Sequence, residues 1–227
     1  MRALLINFLI TTSSVLHPRL KIAVIDSGVD FSVNPSLRNF ICSDSRSFND
    51  MNSLNDVSSQ KHGTNILGLI SKGLDPHKYC LLLLVPYNVN DHATSNGIAQ
   101  AVSYAIKEKA LYLNYSGGGL DPSYEERQSF TRAVAKGMRV TVAAGNLNHD
   151  LSTSCNFYPA CYTLKINNPN FKVVGSSTAD FIEKYTNYGL PGEVYEDGTN
   201  RGIPELTGTS QSAAIYMNKW IKKDANP

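Results

Sequence analysis

No stretch of this 227-residue sequence approaches the roughly 18 consecutive apolar residues that a helix needs to cross a bilayer, so no membrane span is expected. An excess of one charge is also lacking. Lys and Arg number 21 against 19 Asp and Glu, a net charge of +2 that gives no long-range field for a polyanion and argues against a nucleic-acid partner. The four cysteines, Cys42, Cys80, Cys155 and Cys161, have no Cys-x-x-Cys spacing, and the histidines do not cluster, which argues against structural zinc. A D-x-[DN]-x-[DN]-G loop for calcium is missing, as are internal repeats and low-complexity tracts. With 42% apolar and 18% charged residues, the composition is that of a folded chain rather than a disordered one.

The length suits one α/β domain, which we place at 19–227 and expect to be monomeric. Residues 1–18 have the outline of a signal peptide: Arg2 is a minimal charged start, Ala3 to Ile10 a short apolar run, and Thr11 to Ser14 small residues suited to cleavage. That reading places the protein outside the cytoplasm, secreted or periplasmic. The alternative is an N-terminal arm packed on a cytoplasmic protein. Four cysteines allow three pairings. Cys155 and Cys161 flank a short loop and are the best disulfide candidates in an oxidising compartment, whereas in the cytosol all four are expected as buried thiols.

Five short runs rich in Val, Ile and Leu read as strands buried on both faces: Leu20 to Ile25, Cys80 to Val85, Leu111 to Tyr115, Arg139 to Ala143 and Phe171 to Val174. Helical spacing lies between them. Ile98, Ala101, Val102, Ala105 and Ile106 share one helix face behind a Thr94 or Ser95 cap. Ser123 and Glu126 form a capping box ahead of Phe130, Ala133 and Val134, with Gly137 at the stop. The polar stretch from Ser43 to Gln60 reads as a surface loop. Strand–helix alternation predicts an α/β fold of three layers, a doubly wound, mostly parallel sheet with helices on both faces, and a site at the carboxyl ends of its strands.

Four polar residues stand where that rule directs attention. Asp26 ends an apolar strand in VIDSG; alone it is equally a turn aspartate. His62, in KHGTN, opens a helical segment, where a histidine is more often solvated than chemical; Gly63 beside it permits close approach and Thr64 can bond locally. Ser210, in TGTSQS, starts the last helix and is an ordinary capping type, yet a hydroxyl there is exposed near main-chain donors and becomes a nucleophile once a neutral histidine can take its proton. Asn146, in VAAGN, follows a buried strand, and its amide can donate to a developing oxyanion or simply serve a turn.

Taken together, the strings IDSG, HGT, AAGN and GTSxS, in the order Asp, His, Ser, resemble the subtilisin-like serine peptidases, from about Lys21 to Ala214. The resemblance implies a serine endopeptidase acting on peptides or proteins, with Asp26, His62 and Ser210 as triad and Asn146 in the oxyanion hole. LNYSGGG resembles the family's substrate-pairing strand, which implies that Ser116, Gly117 and Gly118 bind the peptide and form one wall of the primary specificity pocket, the glycines admitting a peptide main chain to the sheet edge. The implied chemistry needs no cofactor or catalytic metal; structural calcium is frequent in relatives and leaves little trace in sequence.

Some features depart from the family. Ala213 and Ala214 stand where a proline commonly follows the serine, Asn65 replaces a second histidine after HGT, and no pro-segment is visible between the leader and Asp26. Two other readings therefore stand beside the peptidase: a silent pseudopeptidase that binds a peptide or protein partner, and an esterase using the same triad.

Overall fold

The structure, a computed structural model, describes residues 18–179 and 181–226. The apolar run expected to act as a leader lies outside those residues. In chain order the elements are β1 (Leu20–Ile25), β2 (Arg46–Ser47), α1 (His62–Ser71), β3 (Tyr79–Val85), α2 (Ser95–Lys107), β4 (Tyr112–Tyr115), α3 (Tyr124–Ala135), β5 (Arg139–Ala143), α4 (Thr163–Ile166), β6 (Phe171–Ser176), β7 (Val194–Glu196) and α5 (Thr209–Ala225).

The strands form one sheet in the order β2-β3-β1-β4-β5-β6-β7, and every pairing is parallel. Strand geometry turns successive side chains to opposite faces, and β1 shows the consequence. Ile22 and Val24 pack with Ile66, Leu67 and Ile70 of α1 and Met217 and Ile221 of α5, while Ala23 and Ile25 pack with residues of α2 and α3 on the other side. Helices thus cover both faces, giving the expected three layers. β3 is buried along its whole length because both faces are covered, which is why it reads as an unbroken apolar run. Phe130 of α3 is fully buried between the rings of Tyr115 and Phe171, and truncation to alanine there is expected to cost about 3–5 kcal/mol.

All five anticipated strands form, β1 and β5 with the expected ends and β3, β4 and β6 with one end displaced by a residue or two. β2 and β7 were not anticipated: they are two- and three-residue edge strands without an apolar run. β2 falls within the expected surface loop. The cap of α2 is Thr94, whose side chain accepts from the Gly97 N–H. At α3, Ser123 accepts from the Glu126 N–H as expected, but the return half of the box is relayed: Ser123 N–H donates to the Tyr162 hydroxyl, which donates to Glu126. Gly137 follows α3 at φ 82°, a left-handed conformation that glycine adopts without steric cost.

The first strand lies inside the sheet, between β3 and β4. The chain moves from β1 outward to β3 and then returns to the other side of β1 with β4, so a crevice opens where the two connections leave in opposite directions. Asp26 follows β1 and Ser116 follows β4 at this switch point.

Candidate active site

Asp26 is 3% exposed and takes the Nδ1–H of His62 on Oδ1 at 2.8 Å; the Ser27 N–H donates to the same oxygen at 2.8 Å. His62 is the first residue of α1, and its side chain is 26% exposed. Two glycines permit this approach. A Cβ on Gly63 would stand 2.7 Å from the Gly28 nitrogen, so α1 meets the turn after β1 only because main chain faces main chain there.

The start of α1 is capped from elsewhere in the chain. Its preceding residue, Lys61, lies in the left-handed region at φ 56° and gives no side-chain cap. Instead the Gly63 N–H donates to Ser27 Oγ (3.0 Å) and the Thr64 N–H to Asp56 Oδ2 (2.8 Å). Asp56 also accepts from the Thr64 hydroxyl at 2.6 Å and the Ser27 hydroxyl at 2.8 Å. This buried carboxylate, 6% exposed, fixes the turn that carries His62. Burial raises its pKa against those hydrogen bonds, and the charge of Asp26 adds to the rise.

For His62, burial disfavours the imidazolium, but the charge and hydrogen bond of Asp26, with the charges of Asp56 and Asp91, outweigh it, and the pKa lies above the usual 6.5. Since Nδ1–H is held by Asp26, the neutral ring presents Nε2 as the basic atom.

Ser210 is the second residue of α5, behind Thr209 and the preceding Gly208, so its own N–H belongs to the first turn, where no intrahelical acceptor exists. Its hydroxyl donates to the main-chain carbonyl of Ser116 at 2.7 Å, so the proton is engaged by Ser116 rather than by His62. Asn146 follows β5 and is exposed. Its Oδ1 accepts from the Thr209 N–H (2.9 Å) and hydroxyl (3.0 Å), which leaves Nδ2 as the available donor. A Cβ on Gly208 would stand 3.1 Å from that Nδ2, so the glycine leaves the amide room. Asn187, fully buried, shapes this turn by accepting from the N–H groups of Leu147 and His149 and donating to the Ala144 carbonyl, all at 3.0 Å.

The family profile for subtilases matches residues 18–216. This chain belongs to the subtilase family. It is 30% identical over 213 residues to the major intracellular serine protease of Bacillus subtilis, covering 86% of this subtilase and 65% of the relative. It is 28% identical over 225 residues to subtilisin E of the same organism, covering 88% and 56%. The subtilase therefore spans less than two thirds of the length of either protein. A crystal structure of a cold adapted subtilisin-like serine proteinase superposes with a TM-score of 0.70 over 90% of this chain and 76% of that one, at 22% identity, and shows the shared fold.

Ser116, Gly117 and Gly118 follow β4 as anticipated, and Gly118 is exposed. Beneath Ser116 lies a buried polar relay: Thr141 Oγ1 donates to Asn114 Oδ1, Asn114 Nδ2 to Ser116 Oγ, and Ser116 Oγ to the Ser210 carbonyl, at 2.9, 2.9 and 3.0 Å. The departure at Asn65 also has a structural use in this subtilase. Its Nδ2 donates to the carbonyls of Arg201 (2.7 Å) and Pro204 (2.6 Å), and its Oδ1 accepts from Gln211 Nε2 (3.0 Å), tying α1 to α5. Cys42 pairs with Cys80 and Cys155 with Cys161.

Sequence reasoning missed Asp56, Asn187 and the relay through Asn114. The one available signal was Asn114 and Thr141, polar residues inside runs otherwise apolar enough to be central strands.

Proposed function

We propose that this subtilase is a serine endopeptidase in which Ser210 attacks the scissile carbonyl, His62 is the general base and acid, and Asp26 holds the imidazole. The observation that carries the reading is the 2.8 Å bond from His62 Nδ1 to the carboxylate of Asp26, which follows β1 as the Ser116 segment bonded to Ser210 follows the neighbouring β4. It fixes the tautomer that leaves Nε2 free to take a proton and stabilises the imidazolium that results.

In the first step the Ser210 hydroxyl turns from the Ser116 carbonyl to Nε2, giving up a hydrogen bond worth about 1 kcal/mol. Oγ forms a bond to the carbonyl carbon as its proton passes to His62. The oxyanion is met by Asn146 Nδ2 and the Ser210 N–H, the two donors left open at the start of α5. His62 then gives its proton to the leaving amine, the C–N bond breaks, and an acyl-enzyme remains. Water, deprotonated by His62, releases the acid and restores Ser210. The exposed main chain at Gly118, in the segment that leaves β4, fits a peptide added beside that segment by main-chain hydrogen bonds.

Location outside the cytoplasm is part of the proposal. It is supported by the pairing of all four cysteines, since such bridges persist in oxidising compartments.

The testing experiment is labelling of purified protein with an alkyl fluorophosphonate, with Ser210→Ala as control. Labelling of wild type that disappears in the variant is expected. Folded wild-type protein that resists the probe would exclude the activated serine and leave peptide binding as the function of the crevice.

A further inference from the structure

Pairing between β4 and β5 runs as far as Tyr115 opposite Val142, and beyond it the two chains leave the sheet as Ser116–Gly119 and Ala144–Asn146. These segments wall the space beside Ser210: Ser116 is hydrogen-bonded to Ser210 in both directions, and Asn146 to Thr209. Each wall carries a glycine, and one side chain lies against both. A Cβ on Gly118 would stand 2.6 Å from Cε1 of Phe157, and a Cβ on Gly145 would stand 2.9 Å from Cδ1 and Cε1 of the same ring. A ring in contact with both walls occupies the gap between them.

Phe157 is held there from several sides. Its loop is closed by the Cys155–Cys161 disulfide. Gly119 and Tyr158 exchange main-chain hydrogen bonds at 2.9 and 2.8 Å, which fastens the loop to the outer end of the Gly118 wall. The Cys161 N–H donates to the Phe157 carbonyl at 2.9 Å, and Pro159 and Ala160 behind it are buried. The side chain packs against the core cluster under α3. The ring therefore forms a fixed plug.

We propose that Phe157 determines the specificity of this subtilase by filling the pocket between Gly118 and Gly145, so that the residue on the acyl side of the scissile bond is restricted to glycine, alanine or serine. The proposal rests on the peptidase reading above. Its physical basis is packing. A leucine or phenylalanine side chain entering the same gap must displace an aromatic ring tied down by a disulfide and a main-chain bridge, and overpacking of that kind lowers transition-state binding by about ten- to a hundredfold. Alanine needs no such displacement.

The test compares two peptide substrates of the full chain that differ only in alanine or phenylalanine before the scissile amide, with active serine titrated by an alkyl fluorophosphonate so that rates are per working site. Wild type is expected to favour alanine in kcat/KM by at least about tenfold. Phe157→Ala should raise kcat/KM for the phenylalanine substrate by about tenfold or more and reverse the preference, and Phe157→Leu, which keeps an apolar anchor for the loop, should give a smaller gain of the same sign. Wild type that takes the titrant but favours phenylalanine, or a preference unchanged in both variants, would overturn the pocket assignment and leave the peptidase intact. Wild type that neither takes the titrant nor cleaves either peptide would overturn the peptidase reading and the pocket assignment together.

Discussion

Ser210 and Ser116 hold each other by reciprocal hydrogen bonds: Ser210 Oγ donates to the Ser116 carbonyl at 2.7 Å, and Ser116 Oγ donates to the Ser210 carbonyl at 3.0 Å. The first bond parks the proposed nucleophile, and the second joins the first turn of α5 to the segment that leaves β4. Since Ser116 Oγ also accepts from Asn114 Nδ2, one hydroxyl links the sheet interior to the site.

Ser116→Ala keeps the carbonyl that receives the Ser210 proton but removes both bonds of the Ser116 hydroxyl. The buried Asn114 amide then loses a partner and the Ser210 carbonyl loses its second one, at a cost of about 1–3 kcal/mol. A lower urea midpoint with an unchanged m-value is expected. An unchanged midpoint would mean that the relay contributes nothing to holding α5 against β4.

The observed contact of Asn146 with Thr209 and its proposed oxyanion role use different atoms. Its Oδ1 receives Thr209, and its Nδ2 is free to meet an oxyanion. Asn146→Asp retains the acceptor for Thr209 and replaces the donor by a negative oxygen. Turnover is expected to fall by at least about a hundred- to a thousandfold, the range for removal of one such donor from subtilisin, while thermal stability stays close to wild type. Equal turnover in the variant would remove Asn146 from the proposed oxyanion hole.

The central strands were legible because both faces of the sheet are covered, so β3 and its neighbours appear as apolar runs, and the helices because Thr94, Ser123 and Gly137 mark their ends. Asp26, His62, Asn146 and Ser210 were legible for a related reason: each stands where a strand ends or a helix begins. What escaped depends on contacts made across the sheet. Asp56 looks like any acid in a polar loop until the fold brings Thr64 and Ser27 onto it. Cys42 and Cys80 are joined because the turn after Phe40 runs beside β3, where the Cys42 N–H meets the Leu81 carbonyl, and parallel pairing of that kind has no local signature. Phe157 carried no sign of its place between Gly118 and Gly145, which come from two different strand ends.

The proposed Asp26–His62 pair predicts a pH dependence. Burial pushes the imidazole pKa down, but the carboxylate pulls it above 6.5, so the proposed base is protonated and idle at lower pH, and kcat/KM should rise through a midpoint above 6.5. In Asp26→Asn the opposing charge is gone and burial acts with less opposition, so the midpoint should move to lower pH, with a loss of turnover of about 10⁴-fold. Profiles from pH 5 to 9 for both proteins check this. A flat wild-type profile across that range would remove His62 as the base.

Glu126 supplies a pH effect on stability that is separate from the chemistry. It is 5% exposed in the first turn of α3, and burial raises its pKa from the usual 4.5 to about 7, against the hydrogen bond from Tyr162. The folded state therefore holds this proton more tightly than the unfolded chain. Below about pH 4.5 both states are protonated and the group costs nothing. Between about pH 4.5 and 7 the unfolded chain ionises first, so stability falls as pH rises, and above about pH 7 the whole penalty is present. At ~1.4 kcal/mol for each tenfold change in proton affinity, that penalty is on the order of 3 kcal/mol. Glu126→Gln keeps an acceptor for the Tyr162 hydroxyl without the charge. The variant should be more stable than wild type at pH 8, by about 1–3 kcal/mol, and the two should converge near pH 4. Denaturant midpoints at the two pH values decide it: a variant less stable than wild type at pH 8 would show that the ionised carboxylate is better accommodated beside Tyr162 than its burial implies.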